Sequence, residues 1–297
     1  DFGFRRISIG LQDSEYKVQK AVNRVYPMED MEKFVIKCRS IGYASVNIDL
    51  IYGLPLQTRD SWRRNLDAVQ VLEADRIACF GYAHLPEKIR NQRVIKEDQL
   101  PEPHARLGMM LDARKFFCAD GYNPIGFDHF AKPDDSLSIA QRKGKLWRNF
   151  MGYTEIFGLE MVGFGCSSIS EFRDLYVQNI VKPNDYCNVI EGGELAIYRG
   201  HILDEDDQIR KQLISNIMCN LVIDIPEAAA DSANGITEEL KLAMSLLSKY
   251  ESDGLIISDN QDGYKVTELG ELFLRHLAMP FDKYLPAQNQ VKFSQTV

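Results

Sequence analysis

The chain has 297 residues, of which 45% are hydrophobic and 26% charged, with six cysteines and a formal charge of −8. Such a length and balance suit one large or two ordinary globular domains with a sizeable core. No apolar run approaches the roughly 20 residues needed to cross a bilayer, and the opening Asp-Phe-Gly-Phe-Arg-Arg lacks a signal-peptide layout. The expectation is a soluble cytoplasmic chain with no membrane partner.

The charge is uneven. Residues 201–297 hold 16 acidic and 8 basic side chains, leaving 27 of each in residues 1–200. An acidic last third argues against nucleic acid, because displacing counterions from phosphates takes a basic stripe. Successive cysteines (Cys38, Cys79, Cys118, Cys166, Cys187 and Cys219) are at least 21 residues apart, so no local spacing builds a zinc or iron–sulfur site. They read as reduced thiols, and no metal ligands are expected in this chain. It opens at Asp1, without an initiator Met and already close to an apolar strand, which suggests a fragment lacking its N-terminal part.

In chain order, strand-like runs at Phe4–Leu11, Ser45–Leu54 and Arg76–Ala83 alternate with segments of helical period, an α/β pattern of parallel strands and crossover helices. The first helix is expected to start at a Ser14 cap and to turn Val18, Ala21, Val22 and Val25 inward. A second should span about Met28 to Ser40 and stop before Gly42. Thr58 should cap a third, with Trp62, Leu66 and Val69 inward, and Pro103 should open a fourth, with Leu107, Met110 and Leu111 inward and an end near Gly121. Three near-continuous apolar strands cannot close a barrel, which suggests part of a larger one, with strands buried on both faces.

From about Phe127 to residue 200 the pattern turns mixed, polar and aromatic, and reads as functional loops. From Asp204 onward, helices near Asp206–Leu221 and Thr237–Tyr250 precede strands Leu255–Ser258 and Tyr264–Thr267 around a turn at Asn260–Gly263. The order suggests a winged-helix-like layout, with a packing or lid role because its charge is wrong for DNA.

In parallel α/β architectures ligands sit at the carboxyl ends of strands. Gln12, Asp49, Ala83 and His84 occupy that region. Asp49 lies in the apolar run Ser45–Pro55, and a buried ionised Asp needs partners. Ribose hydroxyls or Arg24 could supply them. Gln12 offers donor and acceptor to a ligand with amino and carboxylate groups, or caps a loop. Arg24 could pair with a carboxylate or stay solvated. The glycine-rich Gly163-Phe-Gly-Cys-Ser-Ser-Ile-Ser170 suggests a backbone cradle, though it is neither a phosphate loop nor a dinucleotide fingerprint. Cations among aromatics from His129 to Tyr153 would suit a flat ring with carboxylates, or form a surface loop. Lys132, Arg142 and Arg148 are its substrate-binding candidates, chosen on charge alone.

In combination, Gly10-Leu-Gln-Asp13, Val22-Asn-Arg24, Asn47-Ile-Asp-Leu-Ile-Tyr-Gly-Leu-Pro55, Tyr82-Ala-His-Leu-Pro86, His129-Phe-Ala-Lys-Pro-Asp-Asp135, Arg148-Asn-Phe-Met-Gly-Tyr-Thr154 and the Gly163–Ser170 run resemble the oxygen-independent coproporphyrinogen III oxidases. These belong to the radical S-adenosylmethionine enzymes. The resemblance covers nearly the whole chain. It implies the later half of a partial, six-stranded (β/α)6 TIM-like barrel over residues 1–130, substrate-region loops over 131–200, and a mainly helical C-terminal domain over 201–297.

It also implies S-adenosylmethionine and a [4Fe–4S] cluster as cofactors and coproporphyrinogen III as substrate, with an electron donor and a terminal electron acceptor. The reaction implied is oxidative decarboxylation of two propionates to vinyl groups in anaerobic haem biosynthesis. By resemblance the S-adenosylmethionine contacts are Gln12, Arg24, Asp49, Ala83 and Ile169, the last reaching a second cofactor molecule. The family's Cys-x3-Cys-x2-Cys and Gly-Gly-Gly-Thr-Pro segments do not occur here. Cluster ligands are therefore expected upstream of residue 1, and this chain alone is expected to be inactive and to bind S-adenosylmethionine weakly. A related haem chaperone is the alternative, and a cluster-less interaction module a third option.

Overall fold

The computed structural model describes residues 3–224, 238–259 and 263–285. The chain divides into two units, which among the described residues are 3–139 and 140–285.

In the first unit three parallel strands, β1 (Arg6–Gln12), β2 (Ser45–Tyr52) and β3 (Arg76–Gly81), are extended by the antiparallel pair β4 (Asn123–Ile125) and β5 (His129–Ala131). The sheet order is β1-β2-β3-β5-β4. Register pairs Gly10 with Asp49, Asp49 with Ala78 and Ala78 with His129, so these four residues share a face.

Burial along β2 alternates strictly. Val46, Ile48 and Leu50 are wholly buried, whereas Ser45, Asn47, Asp49 and Ile51 are only half-buried. The expectation of strands buried on both faces is therefore corrected for β2: one face enters the core and the other is polar. Beneath the apolar face, residues of α2 (Met28–Ser40), α3 (Arg59–Gln70) and α4 (Pro103–Ala119) complete the core. Each large aliphatic side chain buried there contributes about 1.5–3 kcal/mol.

Local chemistry explains the helix ends. Thr58 and Ser61 form a reciprocal capping box at α3, which buries Trp62, Leu66 and Val69 as the spacing predicts. The Trp62 indole donates to Met109 O at 2.8 Å. Past α2, Gly42 takes φ +101°, the left-handed conformation a helix stop requires.

Two helix expectations need correction. The first helix is only Tyr16–Ala21, its N-cap is Glu15 without a side-chain cap, and Val25 is exposed beyond its end. Ser14 instead donates its backbone N–H to Asn65. In α4 the buried positions are Gly108, Met109, Ala113 and Phe117; Leu107 and Leu111 lie on the outer side. A helix apolar on several sides leaves the inward face to be chosen by the sheet it meets.

The second unit holds a hairpin (Trp147–Asn149 with Gly152–Thr154) and a three-stranded antiparallel sheet of Ile197–Ile202, Leu175–Asn179 and Ile169–Glu171 in that order. The stretch expected as loops thus contains sheet, corrected because its strands are short and no residue of Leu175–Asn179 or Ile197–Ile202 is fully buried, so no apolar run marks them. Helix Glu205–Ser215, started by an Asp204–Asp207 capping box, continues into a π-helical turn over Asn216–Asn220 that stops at Leu221 (φ +61°).

Strand Val222–Ile223 then pairs with Gly263–Val266, which also pairs with Ile256–Asp259. Helices Glu238–Ser245, Leu247–Ser252, Glu268–Glu271 and Leu274–Ala278 flank these strands in sequence. The expected start at Thr237 and the turn residues 260–262 lie outside the described residues.

Candidate functional site

Small and polar residues at the carboxyl ends of β1 and β2 build the first site. Asp49 accepts from Ser8 Oγ at 3.1 and 3.2 Å and from Asn47 Nδ2 at 2.6 Å. Burial pushes its carboxyl above the usual range, against the hydrogen bonds of Ser8 and Asn47 and the more distant charges of His129 and Arg24. The direct partners are thus neutral donors from the same sheet face, and the exposed Arg24 acts only through space.

Gln12 ends β1 in the left-handed region, at φ +69°, an uncommon conformation for a residue with a side chain. Its Oε1 is buried and accepts no hydrogen bond, and Asn47 Oδ1 is in the same condition. Leaving such an acceptor unmet costs about 1–3 kcal/mol. Gly10 makes the arrangement possible: a Cβ there would lie 2.5 Å from Gln12 Nε2 and 2.8 Å from the Arg24 guanidinium. Gln12 and Arg24 therefore cross the same glycine. Two unmet acceptors, a carboxylate and an exposed guanidinium complement a zwitterionic ligand that also carries hydroxyls.

Asp13 is the carboxylate this strand end truly buries, with no solvent exposure. It accepts from Glu15 N at 2.7 Å and from Gln57 Nε2 at 2.6 Å. Gln57 also donates to Ile51 O and accepts from Gly53 N and Leu54 N, so one side chain organises the loop after β2. The sequence reading passed over Gln57; its only signal was an amide between a Gly-Leu-Pro turn and a capping threonine.

Ala83 follows β3, and its carbonyl accepts from Gln92 Nε2 at 2.9 Å. Tyr82 Oη and His84 Nδ1 are 3.2 Å apart.

Of the substrate candidates, Lys132 lies at the far end of the sheet. It follows β5, where Ala131 pairs with Arg76 at the start of β3, and its ammonium donates to Glu73 O at 3.1 Å. The structure does not bring it together with Gln12 and Ala83. Arg142 is exposed at the end of helix Ser136–Arg142.

Arg148 and Ile169 belong to the second unit and both line a cavity of about 660 Å³ within it. The Arg148 guanidinium lies 5.6 Å from the centre of the Tyr153 ring. The Gly163–Ser170 run is not an open cradle. Asn179 Nδ2 donates to Gly163 O, Gly165 O and Ser168 Oγ, and Ser170 Oγ accepts from Gly163 N, so its polar groups turn inward.

All six cysteines are unbridged thiols, and burial pushes the Cys219 thiol up to about 12. Among the described residues no group of three or more His, Cys, Asp or Glu side chains could hold a metal ion. The donors a [4Fe–4S] cluster requires do not fit anything seen here.

No family model matches the sequence. Three relatives named oxygen-independent coproporphyrinogen III oxidase do match: one from Pseudomonas aeruginosa is 41% identical over the whole chain, one from Escherichia coli 39% identical over 99% of it, and one from Helicobacter pylori 37% identical over all of it. The chain spans 64 to 65% of the length of these relatives. A solved structure described as coproporphyrinogen III oxidase (HemN) from Escherichia coli, a radical SAM enzyme, superposes with a TM-score of 0.89 at 39% identity, covering 95% of this chain and 65% of that one. In sequence and in its mixed α/β fold, the chain is similar to the oxygen-independent coproporphyrinogen III oxidases over 64 to 65% of their length.

Proposed function

We propose that this chain is the part of an oxygen-independent coproporphyrinogen III oxidase that carries the later strands of a partial (β/α)6 barrel and a winged-helix-like C-terminal domain. The complete enzyme converts coproporphyrinogen III to protoporphyrinogen IX. Each of two propionates loses a hydrogen atom, carbon dioxide and one electron to become a vinyl group, so a terminal acceptor must take up electrons and a donor must start each turnover. S-adenosylmethionine, when bound beside a [4Fe–4S] cluster, supplies the hydrogen-abstracting radical. The relatives' names support the reaction, and the donor set at the strand ends supports the cofactor.

In this reading Gln12 Oε1 accepts from the ligand's amino group, Arg24 pairs with its carboxylate and Asp49 accepts from its ribose hydroxyls. Ala83 lets the ligand approach backbone, and Ile169, in the second unit, is kept for a second cofactor molecule. The single observation that carries the assignment is the pair of buried, unmet acceptors Gln12 Oε1 and Asn47 Oδ1 beside Asp49.

We assign the cluster ligands to sequence outside these 297 residues, so the chain alone should neither decarboxylate nor bind S-adenosylmethionine tightly. Among the described residues no helix is long and apolar enough to cross a membrane. A cytoplasmic enzyme without nucleic-acid partners is the reading we adopt. The test is equilibrium dialysis of S-adenosylmethionine against the cluster-loaded enzyme and its Asp49→Ala variant, with carbon dioxide release measured in parallel. Undiminished binding by the variant would reject the site, and absence of carbon dioxide from the wild type would reject the reaction.

A further inference from the structure

Arg24 reaches the polar sheet face from an exposed turn, so something other than its own packing must bring the guanidinium beside Gly10. The turn follows helix Tyr16–Ala21. Asn23 takes the left-handed conformation at φ +52°, its N–H donates to Lys20 O at 3.1 Å, and the Arg24 N–H donates to Gln19 O at 2.9 Å. This pair of bonds is a Schellman stop, which fixes where the chain leaves the helix.

Gln19 also holds the far side of the same turn. Only 3% exposed, it donates from Nε2 to Tyr26 O at 2.9 Å and accepts at Oε1 from Tyr26 N at 3.1 Å. Its Nε2 donates as well to Asp13 O at 2.7 Å. Asp13 directly follows Gln12, and its carboxylate is bonded in turn to Gln57. One buried residue therefore closes the Arg24 turn at both ends, through main chain and side chain, and fastens it to the neighbour of Gln12. A long arginine can be aimed only from a fixed backbone, and a misplacement of about 1 Å in a binding constellation can cost roughly a hundredfold.

We propose that Gln19 is a positioning residue, which sets Arg24 against Gln12 and so fixes the spacing between the groups that meet the ligand's carboxylate and amino group. For the ligand this rests on the cofactor reading above; the hold on the turn rests on the hydrogen bonds alone. A wholly structural Gln19 would lower stability and leave the affinity of the folded enzyme as it was.

Equilibrium dialysis of S-adenosylmethionine against the cluster-loaded enzyme compares wild type, Gln19→Met, Arg24→Ala and the double variant, and thermal melts establish that each is folded at the temperature used. Expected is a roughly tenfold loss in Gln19→Met, with no further loss when it is added to Arg24→Ala, because a residue acting through Arg24 then has nothing to position. The probe 5′-methylthioadenosine, a nucleoside without the carboxylate, should bind wild type and Gln19→Met alike. Asn23 offers a second route that leaves the buried amide intact. Asn23→Val, strained at positive φ, should weaken binding as Gln19→Met does, and Asn23→Gly, unstrained there, should retain it. Full additivity of Gln19→Met with Arg24→Ala overturns the proposal, as does an equal loss for methylthioadenosine. Hydrogen exchange on the 297-residue chain needs no ligand. The Arg24 and Tyr26 amides should exchange roughly tenfold faster in Gln19→Met. Unchanged exchange overturns the proposal, whereas faster exchange with undiminished binding by Arg24→Ala rejects the carboxylate reading and leaves Gln19 holding the turn.

Discussion

Gln57 Nε2 donates to Asp13 Oδ2 at 2.6 Å, tying the loop after β1 to the loop after β2 in the buried interior of the first unit. Asp13 directly follows Gln12, whose backbone is left-handed at φ +69°. Burial pushes the Asp13 carboxyl up to about 6, although hydrogen bonds from Glu15 N and Gln57 oppose the shift. Because the folded value lies above the unfolded one, Asp13 favours folding fully below pH about 4, and this contribution is lost as pH rises through about 6. Two units correspond to about 3 kcal/mol. Urea midpoints between pH 4 and pH 7 should therefore fall for the wild type and flatten in Asp13→Asn. Equal slopes would show that Asp13 is not the titrating group.

Gly10 carries no backbone strain, yet a Cβ there would press on Gln12 Nε2 and the Arg24 guanidinium. Both are ends of flexible side chains, so Gly10→Ala should change stability by less than about 1 kcal/mol. The same displacement should weaken S-adenosylmethionine binding by the cluster-loaded enzyme by roughly tenfold. Dialysis and a thermal melt on the same sample separate the two effects, and a large loss of stability with unchanged affinity would contradict this account.

Gly270 is a different case. Its Cβ would collide with the backbone carbonyl of Leu255 and lie 2.7 Å from Val266 Cγ1. A carbonyl in the connection to a paired strand cannot swing away as a side chain can, so Gly270→Ala should destabilise the second unit by about 3 kcal/mol or more. Chemical denaturation followed by far-ultraviolet dichroism measures it; a change below about 1 kcal/mol would disprove the clash.

Lys283 meets Asp207 at 2.8 Å, Asp204 at 3.1 Å and Asp206 at 3.4 Å. Burial alone would raise the Asp207 carboxyl, but hydrogen bonds from Lys283, Tyr284 and Asp204 N outweigh it and hold the group below the usual range. Its contribution is present above the unfolded value and fades as pH falls through the folded one. Lys283→Met should cost about 2 kcal/mol at pH 7, since it strips a cation from a buried carboxylate. The deficit should shrink near pH 3. A pH-independent deficit would point to lost packing instead.

Local chemistry made several elements readable. The Thr58 cap with Trp62, Leu66 and Val69 behind it, Gly42 after α2, and the alternation of Val46, Ile48 and Leu50 each record a constraint that neighbouring residues impose on one another. The same reading went wrong wherever the deciding neighbour was distant. Leu107 and Leu111 had as good a claim to the core as Met109 and Phe117 until the sheet selected a face. Lys132 looked equivalent to Arg148 by charge, but antiparallel pairing of β5 with β3 carries it to the amino ends of the parallel strands.

What the sequence determined by itself was the α/β alternation, the resemblance to a family, and which strand-end residues carry polar chemistry, because these depend on residue type and order. Tertiary structure alone decided which carboxylate is buried. Asp49 shares a half-open sheet face with Ser8 and Asn47, while Asp13 is sealed against Gln57 in the interior. It also decided that Arg210 Nη2 is buried without an acceptor. Burial is a property of what closes over a side chain, and here the closing residues are separated from it by 44 positions for Asp13 and 71 for Arg210.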